Sequence, residues 1–214
     1  MFKTLAIIHL LILNMVISAM AETIPLSSSN KVNIVPFIEY NVSDGSVLDA
    51  PPIEGWAQFQ NEQIKLGFDS NVHWFRFYLA NKNHFPSAYD LELGNPLIDE
   101  IAVYVLSDGR VKSVQSLGDS QVFNHRPVHH ESFVIPLSFS ANEELEIYLA
   151  VKTSGTVKLP IHIWHKESFL EFQNQKKIHA GFYLGIMSSV IFAFIALFLF
   201  SKQLNILYDA GFII

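Results

Sequence analysis

From residue 32 to residue 165 the chain reads as short stretches of alternating apolar and polar positions, separated by turn-forming residues. A period of two places successive side chains on opposite faces of an extended strand. In 72–80 one face is His73, Phe75, Phe77 and Leu79, and the other is Trp74, Arg76, Tyr78 and Ala80. Tyr89, Leu91 and Leu93 oppose Asp90 and Glu92, while Ile101, Val103 and Val105 oppose Ala102 and Tyr104. Turns are supplied by Asp44 with Gly45, by 49–52, by Asp108 with Gly109, by Gly118 with Asp119, and by Ser154 with Gly155. The turn at 107–110 predicts a hairpin from 101–105 into 111–117. Ser154 and Gly155 predict a second, joining 145–152 to 157–163, in which Pro160 cannot donate to a ladder and so marks an edge strand or a bulge. About eight short strands with no helix between them predict an all-β fold, an antiparallel jelly-roll-like β-sandwich over 22–165.

The period changes after residue 165. In 166–180 Phe169, Leu170 and Phe172 gather on one side while Glu171, Gln173, Gln175, Lys176 and Lys177 are polar, the pattern of a short juxtamembrane helix. The stretch 181–200 then carries no charge, Pro, Asn, Gln or His, and a bilayer core needs about 20 such residues in a helix. It predicts a transmembrane helix, with the lipid bilayer as partner. At the other end, 1–21 opens with Lys3, runs through an apolar core and closes on Ala19, Met20 and Ala21, the pattern of a secretory signal peptide. The signal peptide sets the orientation, because Lys176 and Lys177 before the span and Lys202 after it do not. The 22–165 domain is thus expected in the periplasm of a bacterial inner (cell) membrane. The tail 201–214 reads as a cytoplasmic turn and the start of a truncated second membrane helix.

Half of the 214 residues are hydrophobic because the two apolar segments raise the average. A formal net charge of −6 without a basic run excludes nucleic acid as a partner. The absence of cysteine removes disulfides, thiolate catalysis and Cys-ligated metals together. No catalytic motif is present, and Glu92, Asp99 and Glu100 read as solvated strand acids, so the chain is expected to be no enzyme and to need no cofactor. His125, His129 and His130 share a loop, but their spacing matches no closed zinc site; they read as hydrogen-bonding groups.

Aromatic and basic residues on the polar strand faces are the candidate chemistry. Trp74, Arg76 and Tyr78 share one strand, His162 and Trp164 another, and Arg126, His129 and His130 a loop. Flat aromatic faces stack on sugar rings while Arg and His supply hydrogen bonds, so this set predicts a binding site for a small-molecule or carbohydrate ligand. Taken singly, Trp74, Tyr78 and Trp164 each read slightly better as inter-sheet core; only as a set do they point to binding. Gly181 and Gly185, four apart, predict close approach to a neighbouring helix, in a sister span or a homodimer.

The stretches VHWFRFYLAN, LELGNPLIDEIAVYVLSDGRV, LGDSQVFNHRPVHHESFVIPL, LEIYLAVKTSGTVKLPIHIW and AGFYLGIM together resemble the second type of extracellular domain of bacterial seven-transmembrane receptors with diverse intracellular signalling modules. The pieces that carry the resemblance are Trp74, Phe75, Arg76 with Asn81, Asn95 and Pro96 with Asp99, Tyr104, Gly118 and Asp119, Arg126 and Pro127, and Trp164. The resemblance implies a periplasmic sandwich related to carbohydrate-binding modules, preceding seven membrane helices and a cytoplasmic output domain. It implies a sensory input module that passes a signal through the membrane helix to an output domain outside these residues. The alternative is a membrane-anchored structural or adhesion module contacting cell-wall glycan or a protein.

Overall fold

The computed structural model describes residues 22–26 and 31–201. The expected signal peptide and the expected second-helix start, 202–214, lie outside the described residues. Two units divide the chain, one closing at Lys166 and the other opening at Glu167.

The first unit holds thirteen strands among the described residues. They are β1 (Thr23–Leu26), β2 (Lys31–Asn33), β3 (Glu39–Ser43), β4 (Ala57–Gln58), β5 (Lys65–Phe68), β6 (Val72–Asn81) and β7 (Ser87–Leu93), then β8 (Glu100–Ser107), β9 (Arg110–Leu117), β10 (Phe133–Phe139), β11 (Glu144–Lys152), β12 (Thr156–Lys158) and β13 (Ile161–His165). A seven-stranded sheet runs in the order β4-β3-β6-β11-β8-β9, with β1 also beside β6. A four-stranded sheet runs β10-β7-β13-β2, and β12 with β5 forms a two-stranded ribbon. All pairings are antiparallel except β1 with β6, where Thr23 lies opposite Tyr78 and Leu26 opposite Asn81.

The core lies between the two larger sheets because both strand sets turn their apolar parity inward. Phe75, Phe77 and Leu79 of β6 join Ile147 and Leu149 of β11 and Val103 of β8 from one side. Leu91 and Leu93 of β7, Ile135 and Leu137 of β10, and Ile161 and Ile163 of β13 meet them in the same cluster. Burying each such side chain stabilises by about 1.5–3 kcal/mol, which lets a domain without disulfides fold.

The hairpin at 107–110 forms as expected, with Asp108 at φ 49° and Gly109 at φ 69° joining β8 to β9. The second expected hairpin does not form. β11 pairs with β6 and β8 in the large sheet, whereas β12 pairs with β5 and β13 with β7 and β2. The Ser154–Gly155 turn therefore carries the chain out of one sheet instead of folding it back. Alternation gives a strand's faces but not its neighbours. Pro160 sits between β12 and β13, and the register of the ribbon shifts between Val157 and Lys158.

Among the described residues the second unit is helical, formed by α1 (Lys166–Ser201). The juxtamembrane piece and the apolar span expected separately form one helix, since no Pro or Gly pair breaks the hydrogen-bond ladder between 178 and 181. It is long and apolar enough to cross a membrane, and that apolar stretch is not buried within the protein.

Candidate ligand-binding face

The outward parity of β6 builds the most developed surface of the sandwich. Register places Glu39 of β3 beside Arg76, Arg76 beside Tyr148 of β11, and Tyr148 beside Tyr104 of β8, a lateral row across four strands. Glu146 lies opposite Tyr78 in the next row. The preceding row, Asn41, Trp74, Ala150 and Ala102, is covered. Val47 and Trp56 from the segment between β3 and β4 pack over it, and Trp74 is wholly buried with its Nε1 donating to Ser43 Oγ (2.9 Å). That segment is fastened by the Tyr104 hydroxyl donating to the carbonyls of Val47 (3.0 Å) and Asp49 (3.1 Å), and by Asn41 Nδ2 donating to Glu54 (2.8 Å).

Where the segment ends, Trp56 forms the edge of a platform. Its indole Nε1 donates to the Pro52 carbonyl (2.9 Å), which fixes the ring plane. The Arg76 guanidinium lies 4.5 Å from its ring centroid, and Tyr148 is tilted against it at 5.6 Å. Arg76 Nε donates to Glu39 Oε2 (2.7 Å). Burial works against the Arg76 charge, but Glu39 and the neighbouring tyrosines outweigh it, so the guanidinium stays firmly charged. The hydroxyls of Tyr78 (2.9 Å) and Tyr148 (2.6 Å) both donate to Glu146 Oε1. Burial, then that carboxylate, raises both phenols above their ordinary range and keeps them protonated. Glu146 Oε2 accepts no hydrogen bond among the described residues. All six of these side chains are half-buried. The face thus offers flat aromatic surface, spare guanidinium donors and an open carboxylate oxygen, with every orientation set by a neighbour.

The eight residues singled out in the sequence do not share one site. Arg76 and Tyr78 belong to the platform, and Trp74 supports it from beneath. His162 and Trp164 lie on the outer face of the other sheet, where Trp164 Nε1 donates to Glu92 Oε2 (2.7 Å) and Lys31 sits 4.8 Å above the indole ring. His162 Nδ1 is 3.8 Å from the same carboxylate oxygen. Burial and then Lys31 push its pKa down against the pull of Glu92. Arg126, His129 and His130 hold the 118–132 loop together. Arg126 Nη1 donates to the His130 carbonyl (3.0 Å), its guanidinium packs 4.3 Å from the Phe133 ring centroid, His129 stacks on Phe123, and His130 Nδ1 accepts from the Ser132 amide (3.0 Å).

Trp56, Glu39, Glu146 and Tyr148 escaped the sequence reading. Trp56 lies in a stretch without periodicity. Tyr148 and Glu146 stand on the polar parity of their strand, and only the register of β11 against β6 brings them beside Arg76 and Tyr78.

Comparison with known proteins gives a family and a set of solved folds. The model of the family described as 7TMR-DISM extracellular 2 matches residues 41–165. No curated protein matches the chain. Among solved structures, a family 35 carbohydrate binding module from Clostridium thermocellum is 8% identical, with 62% of this chain and 88% of that chain covered and a TM-score of 0.26. A family 51 module from Clostridium perfringens, solved with methyl-galactose, is 11% identical over 60% of this chain and 99% of that one, with a TM-score of 0.27. The CBM35 of Paenibacillus barcinonensis is 8% identical over 57% and 89%, also at 0.27.

Proposed function

The chain belongs to the 7TMR-DISM extracellular 2 family, and on that premise we propose that its sandwich is the periplasmic sensory input module of a bacterial transmembrane receptor, binding a carbohydrate ring on the Trp56–Arg76–Tyr148 platform. Membership makes it an extracellular-type sensor domain, and α1 gives it one apolar helix by which to be held in a membrane. What it senses is read from the platform alone.

The observation that carries the reading is the half-buried aromatic row beside an open carboxylate oxygen. A sugar ring has apolar C–H faces and a rim of hydroxyls. Trp56 and Tyr148 supply surface for the faces, Arg76 donates to rim oxygens, and Glu146 Oε2 accepts from a rim hydroxyl. Preorganisation lowers the entropy lost on binding, because Pro52, Glu39 and the paired tyrosine hydroxyls already hold these groups. Such a module binds and does no chemistry of its own. In this reading the inner-membrane receptor passes the bound state through α1 to an output domain, which requires the ligand to favour one of two states of the protein.

The test is calorimetric titration of the full chain in lipid nanodiscs with a panel of neutral mono- and disaccharides. Trp56→Ala and Glu146→Gln should each weaken the affinity of the sugar that binds by about tenfold, equivalent to about 1.4 kcal/mol. Both variants should keep a cooperative melt, since neither side chain lies in the inter-sheet core. Binding by no sugar in the panel, or binding unaffected by either change, would refute the assignment.

A further inference from the structure

On another part of the sandwich, at the junction of β2, β13 and the β5–β12 ribbon, a groove of about 670 Å³ opens, a volume ordinary for small-molecule sites. Its charged and polar lining is Lys31, Lys65, Lys158, His162, Asn33, Gln63 and one carboxylate, Glu62. We propose that this groove is a second binding site, distinct from the platform, for a small molecule carrying an anionic group, a carboxylate or a phosphate.

Three features support that chemistry. Lys65 and Lys158 are direct cross-strand partners in the ribbon. Like charges in that position destabilise a ladder, so the fold carries a cost there that an anion would remove. Neither ammonium forms an ion pair among the described residues, although Lys82 and Lys112 elsewhere on the molecule each do. Lys31 completes the set from the edge of the smaller sheet. Its register with Trp164, and that of Asn33 with His162, puts all four on one face, and its ammonium rests over the Trp164 ring instead of on an acid. Three lysines thus line one concave space whose lining holds a single carboxylate, Glu62. The net charge of the whole chain is −6, so this concentration of positive charge is local and opposes the average. Asn33 and His162 supply further polar atoms for the uncharged part of a ligand, as a sugar acid or sugar phosphate would require.

The full chain in nanodiscs is titrated at low salt with glucuronate, glucose 1-phosphate, inorganic phosphate and neutral glucose. The proposal expects glucuronate, glucose 1-phosphate or both to bind, with affinity falling as salt is raised. Glucuronate alone identifies a carboxylate site. Glucose 1-phosphate together with inorganic phosphate identifies a phosphate site. Lys65→Ala and Lys158→Ala should each weaken anion binding about tenfold, and in the absence of anion should melt at or above the wild-type temperature because the repulsion is relieved. They should leave neutral-sugar binding at the platform unchanged, which separates this site from the first. The proposal is overturned if no anion binds, if either lysine variant binds the anion as wild type does, or if glucose occupies the groove as tightly as glucuronate.

Discussion

Asn81 makes four contacts that decide a stretch of chain. Wholly buried at the end of β6, its Nδ2 donates to the carbonyls of Phe85 (3.0 Å) and Ser140 (2.8 Å), and its Oδ1 accepts from the Asn83 amide (3.1 Å). Its backbone amide donates to Glu143 (2.9 Å). Asn95 and Asp99 act in the same way. Asn95 Nδ2 donates to the Lys158 carbonyl (2.8 Å), and Asp99 Oδ2 accepts from the amide (2.6 Å) and hydroxyl (2.7 Å) of Ser154. Those two bonds hold the Asp99 carboxyl below its usual range. At Gly118, with φ 149°, a Cβ would run into the Asp99 carbonyl oxygen, so only glycine fits. Asn81, Asn95, Asp99 and Gly118, four of the residues that made the family recognisable in the sequence, are therefore loop fasteners, which bond backbone groups or fit where a Cβ cannot. They were legible as a pattern while the sugar platform was not, because fastening fixes residue type at fixed spacing.

One buried residue gives the fold a pH dependence. His73 faces the core, with Nδ1 2.7 Å from the Tyr40 hydroxyl and Nε2 3.7 Å from Asp69 Oδ2. Burial lowers its pKa against the opposing pull of Asp69, and burial with Asp69 pushes the Tyr40 phenol up to about 12. The unfolded chain takes up a proton near the ordinary histidine value of about 6.5 and the folded chain does not. Stability should therefore fall as pH drops below about 6.5 toward the lowered folded value, and His162 acts in the same direction. Melting curves between pH 7.5 and 5 should show the decline. His73→Asn should melt lower at pH 7.5 yet lose less on acidification; an unchanged slope would remove His73 as its origin.

At the scale of elements, alternation located the main strands and turn chemistry the β8–β9 hairpin, where Asp108 and Gly109 provide the positive φ that a tight connection needs. Partner choice was not legible. The chain after β11 joins a different layer, and β12 pairs with β5, about ninety positions earlier by residue number, through contacts that no local pattern encodes. Glu143 shows how such pairings are secured. Just before β11, it accepts from the Ser140 amide (2.6 Å), the Ser107 hydroxyl (2.8 Å) and Lys112 Nζ (2.9 Å), tying this turn to the β8–β9 hairpin. Burial opposes its ionisation, but these donors outweigh burial and lower its pKa. Glu143→Ala should destabilise by about 0.5–1.5 kcal/mol at pH 7, the ordinary net worth of a hydrogen bond, because the Ser140 and Lys112 donors are exposed and only Ser107 is half-buried. Because a lowered carboxylate pKa contributes above the unfolded value and is lost below the folded one, the gap should close in acid. Denaturant titrations at pH 7 and pH 3 measure both, and an equal deficit at the two would show that charge is not involved.

At the scale of the whole molecule, a sandwich of two sheets precedes one long apolar helix. The all-β class, the apolar helix and the family were each readable from the sequence, the first two from periodicity and the third from the order of fastening motifs. The platform was only half readable, through Arg76 and Tyr78, because it is assembled from four strands and an aperiodic segment. The central claim is that this face is where the module meets its ligand. Hydrogen exchange of the full chain in nanodiscs, with and without a saturating neutral sugar from the panel, tests it most directly. The account predicts slowed exchange in 52–58 around Trp56 and in β6 and β11 about Arg76 and Tyr148. Slowing that leaves those segments untouched, or no slowing anywhere in the sandwich, would contradict it.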